Sequence, residues 1–183
     1  TSSMVGLENV DNTSDADKDL ISFDTNGFTL GPTQQSAVNR GSAYNYVAWC
    51  WKAGGNKNTF NVDDVGYASA AAAGLTAGSI TPTGSSVGTK QGFSIIEFTK
   101  AASTNETWPH GLSQAPSLII TKERNKTTNW QVWHQDLSSD TNAIILNSTN
   151  GEGSHPTLFS AAPTSSIVSM GTGWGGGDHI AYC

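Results

Sequence analysis

Charged side chains are scarce in this chain. Asp, Glu, Lys and Arg make up 13% of 183 residues, and helical bundles want far more Glu and Lys, set at helical spacing. Acidic residues outnumber basic ones by 15 to 9, for a net charge of −6. No basic stripe exists to displace counterions, which argues against nucleic acid and against an anionic membrane surface. No apolar run approaches the roughly 20 residues of a membrane span. No leader peptide opens the chain, which starts at Thr1 without a methionine and reads as an excerpt of a longer protein. Cysteine is limited to Cys50 and Cys183. Each closes one of two related strands; buried reduced thiols packing as small hydrophobes are preferred, with an extracellular disulfide as the alternative.

Polarity comes instead from Ser, Thr, Asn and Gly, a mixture that favours short strands joined by many turns. "LISF" and "FTL" flank the tetrad Asp24–Gly27 and predict a hairpin. "NYVAWCWKAGG" alternates like a strand and stops on two glycines. Residues 54–90 shift to Gly, Ala, Ser, Thr and Asn and read as a linker or insertion, with one short helix capped by Asp63 or Asp64 and ended by Gly74. From residue 91, "GFSIIEF", "SLIITKE", "NWQVWHQ", "NAIILN", "SSIVSM" and "HIAYC" follow at hairpin spacing. The expectation is an all-β chain of antiparallel sandwich or jelly-roll-like units.

An internal repeat organises these strands. "GFTLG" (27–31) aligns with "IVSMG" (167–171), and "YVAWC" (46–50) aligns with "HIAYC" (179–183). Residues 1–53 therefore read as the C-terminal half of a first β unit, and residues 91–183 as a complete second unit. On that reading Trp49, Trp51, Trp130 and Tyr182 are structural core residues whose rings fill the sandwich.

Several groupings carry chemistry on paper. Trp108 and His110 in "WPHGL" pair an indole with a hydrogen-bonding ring, as a sugar platform would, although a packed indole at a strand end is the favoured alternative. Trp174, in the glycine-rich "GWGGGD", is a third candidate ligand contact near a turn, in what reads as a flexible hairpin loop. Asp11, Asp15 and Asp17 form a weak calcium candidate without the spacing of an EF-hand loop; a solvated acidic loop is favoured. Glu97, Glu106, Glu123, Asp136 and Asp140 are the acids available for paired-carboxylate hydrolysis, and nothing singles out a pair. There is no zinc spacing, no GxSxG and no phosphate cradle, so no cofactor is expected.

Taken together, "LISFDTNGFTLG", "YVAWCWKAGG", "GYASAAAAGLTAG", "HGLSQAPSLIITKER", "NWQVWHQDL", "APTSSIVSMG" and "HIAYC" resemble a repeat family of virion-associated proteins of marine bacteriophages, cyanophages especially. The resemblance covers nearly the whole chain. It implies a tail-fibre or appendage component located on a virion or extracellular appendage. The function expected is then non-enzymatic: structural and adhesive, giving multivalent attachment to a host surface. Expected partners are further copies of the chain, a trimer among the arrangements, or other appendage subunits, together with a host glycan or protein. The alternative is a carbohydrate-binding module of a secreted glycan-active protein; the third class, a glycosidase, needs two converging carboxylates.

Overall fold

Most short alternating runs punctuated by turn residues become strands, and no helix occurs among the described residues. The structure is a computed structural model that describes residues 20–31 and 45–183. The chain divides into two compact units, residues 1–50 and 51–183.

In the first unit, β1 (Leu20–Asp24) and β2 (Gly27–Leu30) form the expected hairpin, with Asp24 paired to Gly27 across a two-residue loop. Asp24 locks the turn: its carboxylate accepts from Ser22 Oγ at 2.9 Å and from Thr29 Oγ1 at 2.7 Å. These bonds, Thr29 first, stabilise the charged form and hold its pKa below the usual carboxylate value. Residues 45–50 are not a strand, contrary to expectation. Trp49 is 74% exposed and Trp51, which opens the second unit, is 65% exposed, so neither is a core residue. A ladder explains the difference. The sequence counterpart of 46–50, at the C-terminus, is held by a neighbouring strand on each side, whereas 45–50 has no strand pairing among the described residues. Indole content alone does not make a core strand.

The second unit contains a nine-stranded sheet and a three-stranded sheet. Twelve strands follow one another: β3 (Phe60–Val62), β4 (Val65–Tyr67), β5 (Gly84–Gly88), β6 (Phe93–Lys100), β7 (Glu106–Pro109), β8 (Leu118–Glu123), β9 (Gln131–His134), β10 (Asn142–Ile145), β11 (Gly153–Ser154), β12 (Phe159–Ala161), β13 (Ile167–Met170) and β14 (Gly177–Tyr182). The large sheet runs β11-β10-β9-β8-β14-β6-β5-β3-β4, the small one β12-β13-β7. All pairs are antiparallel except β3 with β5. The fold is an all-β, sandwich-like arrangement, as expected.

Residues 54–90 are not a linker: they supply β3, β4 and β5 of the large sheet. The helix expected there is replaced by a hairpin and turns. Asp63 and Asp64 sit at φ 49° and 66° between paired Val62 and Val65. Positive φ at both central residues is the signature of a tight hairpin turn that Asp tolerates. Residues 69–75 then make successive turns, with Leu75 N–H donating to Ala70 O at 2.9 Å.

Between the sheets lies the core. Ile96, Phe98, Ile119, Trp133 and Ala181 of the large sheet meet Trp108, Phe159, Val168 and Met170 of the small one. Burying each such side chain of Val size or larger contributes roughly 1.5–3 kcal/mol. Trp133 anchors itself by donating its Nε1–H to Asp140 O at 2.9 Å. Side chains alternate along β9, and its core face is the one opposite to that expected for Trp130. Gln131 and Trp133 face the core, and Trp130 is half-buried with Tyr182, at 6.4 Å between ring centroids, on the face turned away from the small sheet. These two rings, expected in the core, line the opposite face because Ala181 and Cys183 take the inward positions of β14.

The glycine-rich segment 171–177 is packed rather than loose. A Cβ on Gly171 would lie 2.3 Å from Thr157 O, and one on Gly173 would lie 2.5 Å from Thr157 Oγ1. Trp174 plugs the segment, buried and donating to Leu158 O at 2.6 Å. Gly171→Ala is therefore expected to cost roughly 1–3 kcal/mol by overpacking. Gly151→Ala, where nothing lies within 4 Å of the added carbon, stays within about 0.5 kcal/mol of the parent. Urea denaturation midpoints separate the two.

Both cysteines are free thiols; Cys50 is exposed and Cys183 buried. Burial pushes the Cys183 thiol up to about 12. A colorimetric thiol titration of the native protein should count one fast-reacting group, Cys50, with Cys183 appearing only in denaturant.

Candidate functional site

The pleat builds the site. Ser86 pairs with Ile95, Ile95 with Tyr182, Tyr182 with Ile120, Ile120 with Val132 and Val132 with Ile144. These paired residues share one face of the sheet, so a single row of side chains crosses β5, β6, β14, β8, β9 and β10 on the face away from the core. Most of these side chains are half-buried. Trp130 tilts against Tyr182 over this row.

At the β3–β5 end the row opens into a groove of about 290 Å³, lined by Asn56, Asn58, Asn61, Ser86, Ile95 and Glu97 among others. Its wall is fixed by internal hydrogen bonds. Ser86 Oγ donates to Gly55 O at 2.7 Å, and Asn58 N–H donates to Asn61 Oδ1 at 2.9 Å. The Asn61 amide donates back to Asn58 O. Thr59 N–H donates to Asn58 Oδ1 at 2.8 Å, and among the described residues the Asn58 Nδ2 donor is unspent. Glu97 Oε1 pairs with Arg124 at 2.7 Å, both side chains about 40% exposed; among the described residues its Oε2 accepts no hydrogen bond. The Tyr182 phenol is pushed up to about 12 by burial, with Arg124 opposing and Glu97 adding to the shift. It is a neutral hydroxyl at ordinary pH.

The residues proposed from sequence as ligand contacts are elsewhere. Trp108 and His110 are fully buried and Trp174 nearly so; none reaches this face. Phe98 stacks on Trp108 at 5.0 Å and on His179 at 5.5 Å, and Trp174 meets His179 edge-on. These rings hold the two sheets together. His110 has a defined neutral tautomer: Leu112 N–H donates to Nδ1 at 3.1 Å, so Nε2 carries the proton and donates to Thr164 O at 3.1 Å. The calcium candidates Asp11, Asp15 and Asp17 lie outside the described residues. Among the described residues, no three His, Cys, Asp or Glu side chains gather to hold a metal. Asp63 and Asp64 are structural: Asp63 accepts from Thr89, and Asp64 pairs with Lys52 at 2.8 Å.

The shortlisted carboxylates do not converge. Glu97 faces the groove. Glu123 is buried on the opposite face, 2.6 Å from Lys126, and Glu106 lies 3.8 Å from the buried Lys100 ammonium. Lys100 is further satisfied by Ala101 O and Thr104 O. Sequence reading missed the amide cluster because "NKNTFN" sits in a polar stretch with no apolar alternation. The one available signal was three asparagines at i, i+2 and i+5.

The fold is an all-β, sandwich-like unit whose large sheet carries a polar and aromatic face. The chain belongs to the family described as a domain of unknown function (DUF7483), whose model matches residues 4–183. No curated protein and no solved structure matches the chain.

Burial lowers the basicity of His110, and likewise of His179, whose Nδ1–H donates to Gly177 O and whose buried Nε2 has no partner. Glu123 opposes the His179 shift, while Lys100 and Lys126 reinforce it. Below the unfolded histidine value of about 6.5, the unfolded chain binds protons that the folded one refuses. Stability is therefore full above that value and is lost as pH falls through the lower folded values. Urea midpoints at pH 7.5 and 5.5 should show this loss, with a shallower dependence in His110→Gln.

Proposed function

We propose that the chain is a non-enzymatic structural and adhesive module of a phage tail fibre or comparable extracellular appendage. In this role the sandwich holds shape, and copies arrayed on one particle convert weak single contacts with a host surface into firm attachment. The observation that carries the reading is the ordered, half-exposed face of the large sheet, with its groove and its row of cross-strand side chains. A contact surface on a sheet is held more accurately than one on loops. Two further facts support it. The resemblance to phage virion repeats spans nearly the whole chain, and the acids shortlisted for hydrolysis include three committed to separate ion pairs with Arg124, Lys100 and Lys126.

Oligomerisation belongs to this proposal for reasons of avidity rather than sheet edges. The edge strands are two to four residues long, β4 and β11 in the large sheet and β12 and β7 in the small one, short enough to blunt edge pairing. The second reading, a carbohydrate-binding module of a secreted glycan-active protein, is favoured by the amide-lined groove beside the Trp130–Tyr182 pair. The two share a binding face and differ in what the neighbouring domain does.

The test is retention. Beads carrying many copies of the chain are incubated with a panel of marine bacterial cells, alongside beads blocked with an inert protein. Specific capture that weakens sharply when copies per bead are diluted is the expected result. Equal capture by both bead types rules out the attachment role.

A further inference from the structure

We infer that the groove at the β3–β5 end of the large sheet, continued by the Tyr182–Trp130 rings, is a binding site for a neutral oligosaccharide. This rests on the attachment reading above and gives it a ligand class. Three features of the site carry the inference. Its size suits a sugar unit, and its wall is preorganised: Asn61 and Ser86 spend their hydrogen bonds fixing the 55–58 loop, so little ordering remains to be done on binding. Its unspent capacity is that of a polyol partner. The Asn58 Nδ2 donor, the exposed Asn56 amide and Glu97 Oε2 offer donors and acceptors side by side, the pattern that adjacent hydroxyls satisfy.

The third feature is the apolar continuation. Ile95 pairs with Tyr182, and Trp130 tilts against Tyr182, so the half-buried Trp130 indole continues the row from the polar groove and supplies an apolar ring for one face of a pyranose. From Ser86 to Ile120 the row crosses three strand spacings, roughly 14 Å. That length accommodates a short chain rather than one monosaccharide. Charge selects against the polyanionic alternative. The groove's carboxylate is paired with Arg124 at 2.7 Å, and the protein as a whole carries −6, a balance that disfavours a sulfated or uronic chain. A peptide ligand would look for a long free strand edge or a deep apolar pocket, and the groove offers neither.

The experiment is nuclear magnetic resonance titration of the full chain with cellotetraose, maltotetraose and chitotetraose, and with a heparin tetrasaccharide as the polyanionic control. At millimolar concentrations at least one neutral chain should shift the side-chain amide signals of Asn56 and Asn58 and the indole signal of Trp130. Asn58→Ala and Glu97→Gln should each weaken that binding roughly ten-fold, one good hydrogen bond's worth, with melting within about 4 °C of the parent, since the contacts each loses are exposed. Trp130→Ala should weaken it without abolishing the Asn58 shift. No shift with any neutral chain, shifts centred away from the groove, or tighter binding of the heparin fragment overturns the inference. Cell capture without groove shifts overturns this site while sparing the attachment role. Groove shifts without cell capture support the site and count against the attachment role.

Discussion

The last strand in the chain, β14, lies in the middle of the large sheet, between β6 and β8, and the architecture depends on that insertion. Its two ladders join the β3–β6 half to the β8–β11 half. Because side chains alternate along a strand, this one segment serves both faces. His179, Ala181 and Cys183 enter the core, while Ile180 and Tyr182 face the other way. A shift of register by one residue would exchange the two sets, placing a histidine and a thiol on the open face and forcing a tyrosine into a space shaped for alanine. Core and candidate site are thus held by the same hydrogen bonds.

Beside β14 the two flanking lysines are engaged by main chain, whereas the buried His179 Nε2 and Thr121 Oγ1 have no hydrogen-bond partner among the described residues. Lys100 and Lys122, on the two flanking strands, each turn their ammonium back onto main-chain carbonyls, at Ala101 and Thr104 and at Glu123 and Lys126. Burial lowers the basicity of both. Their carbonyl partners are those of the connections leaving the sheet, so each lysine ties a strand end to its turn. The glycine-rich segment before β14 acts through close approach instead: backbone packs on Thr157 where any side chain would collide. A rigid sheet with pinned connections is a suitable base for a site made of short amide side chains, which have little reach of their own.

Much of the fold was readable from pattern. The runs that became β6, β8, β9, β13 and β14 alternate or stay apolar between turns, and the Asp24–Gly27 hairpin is written in its tetrad. Direction was not readable. On β9 both faces carry large apolar residues, Trp130 and Val132 against Trp133, so parity grouped them without saying which group faces inward. The strands β3 to β5 were hidden for a different cause: "GSSVG" has little side chain to pattern, and its pairing is enforced by neighbours on both edges. The candidate site lies largely in that hidden stretch. Of the residues that looked most like ligand contacts, Trp108 and Trp174 are instead packed rings of the core, and His110 is a buried ring bonded to Thr164 O.

What the amino-acid order settled alone is the strand-and-turn character of the chain, because alternation and turn residues act over a few neighbours. It also sets a net charge of −6 and leaves no apolar run as long as a helical membrane span, because composition and run length are read directly. The tertiary structure decided which member of a repeated phrase becomes a strand. "HIAYC" is flanked by partners for both of its edges, and "YVAWC" has none among the described residues. It decided, too, which rings are core and where the asparagines meet the glutamate of a distant strand. Those outcomes depend on which strands lie side by side, and adjacency between residues tens of positions apart is a property of the assembled sheet.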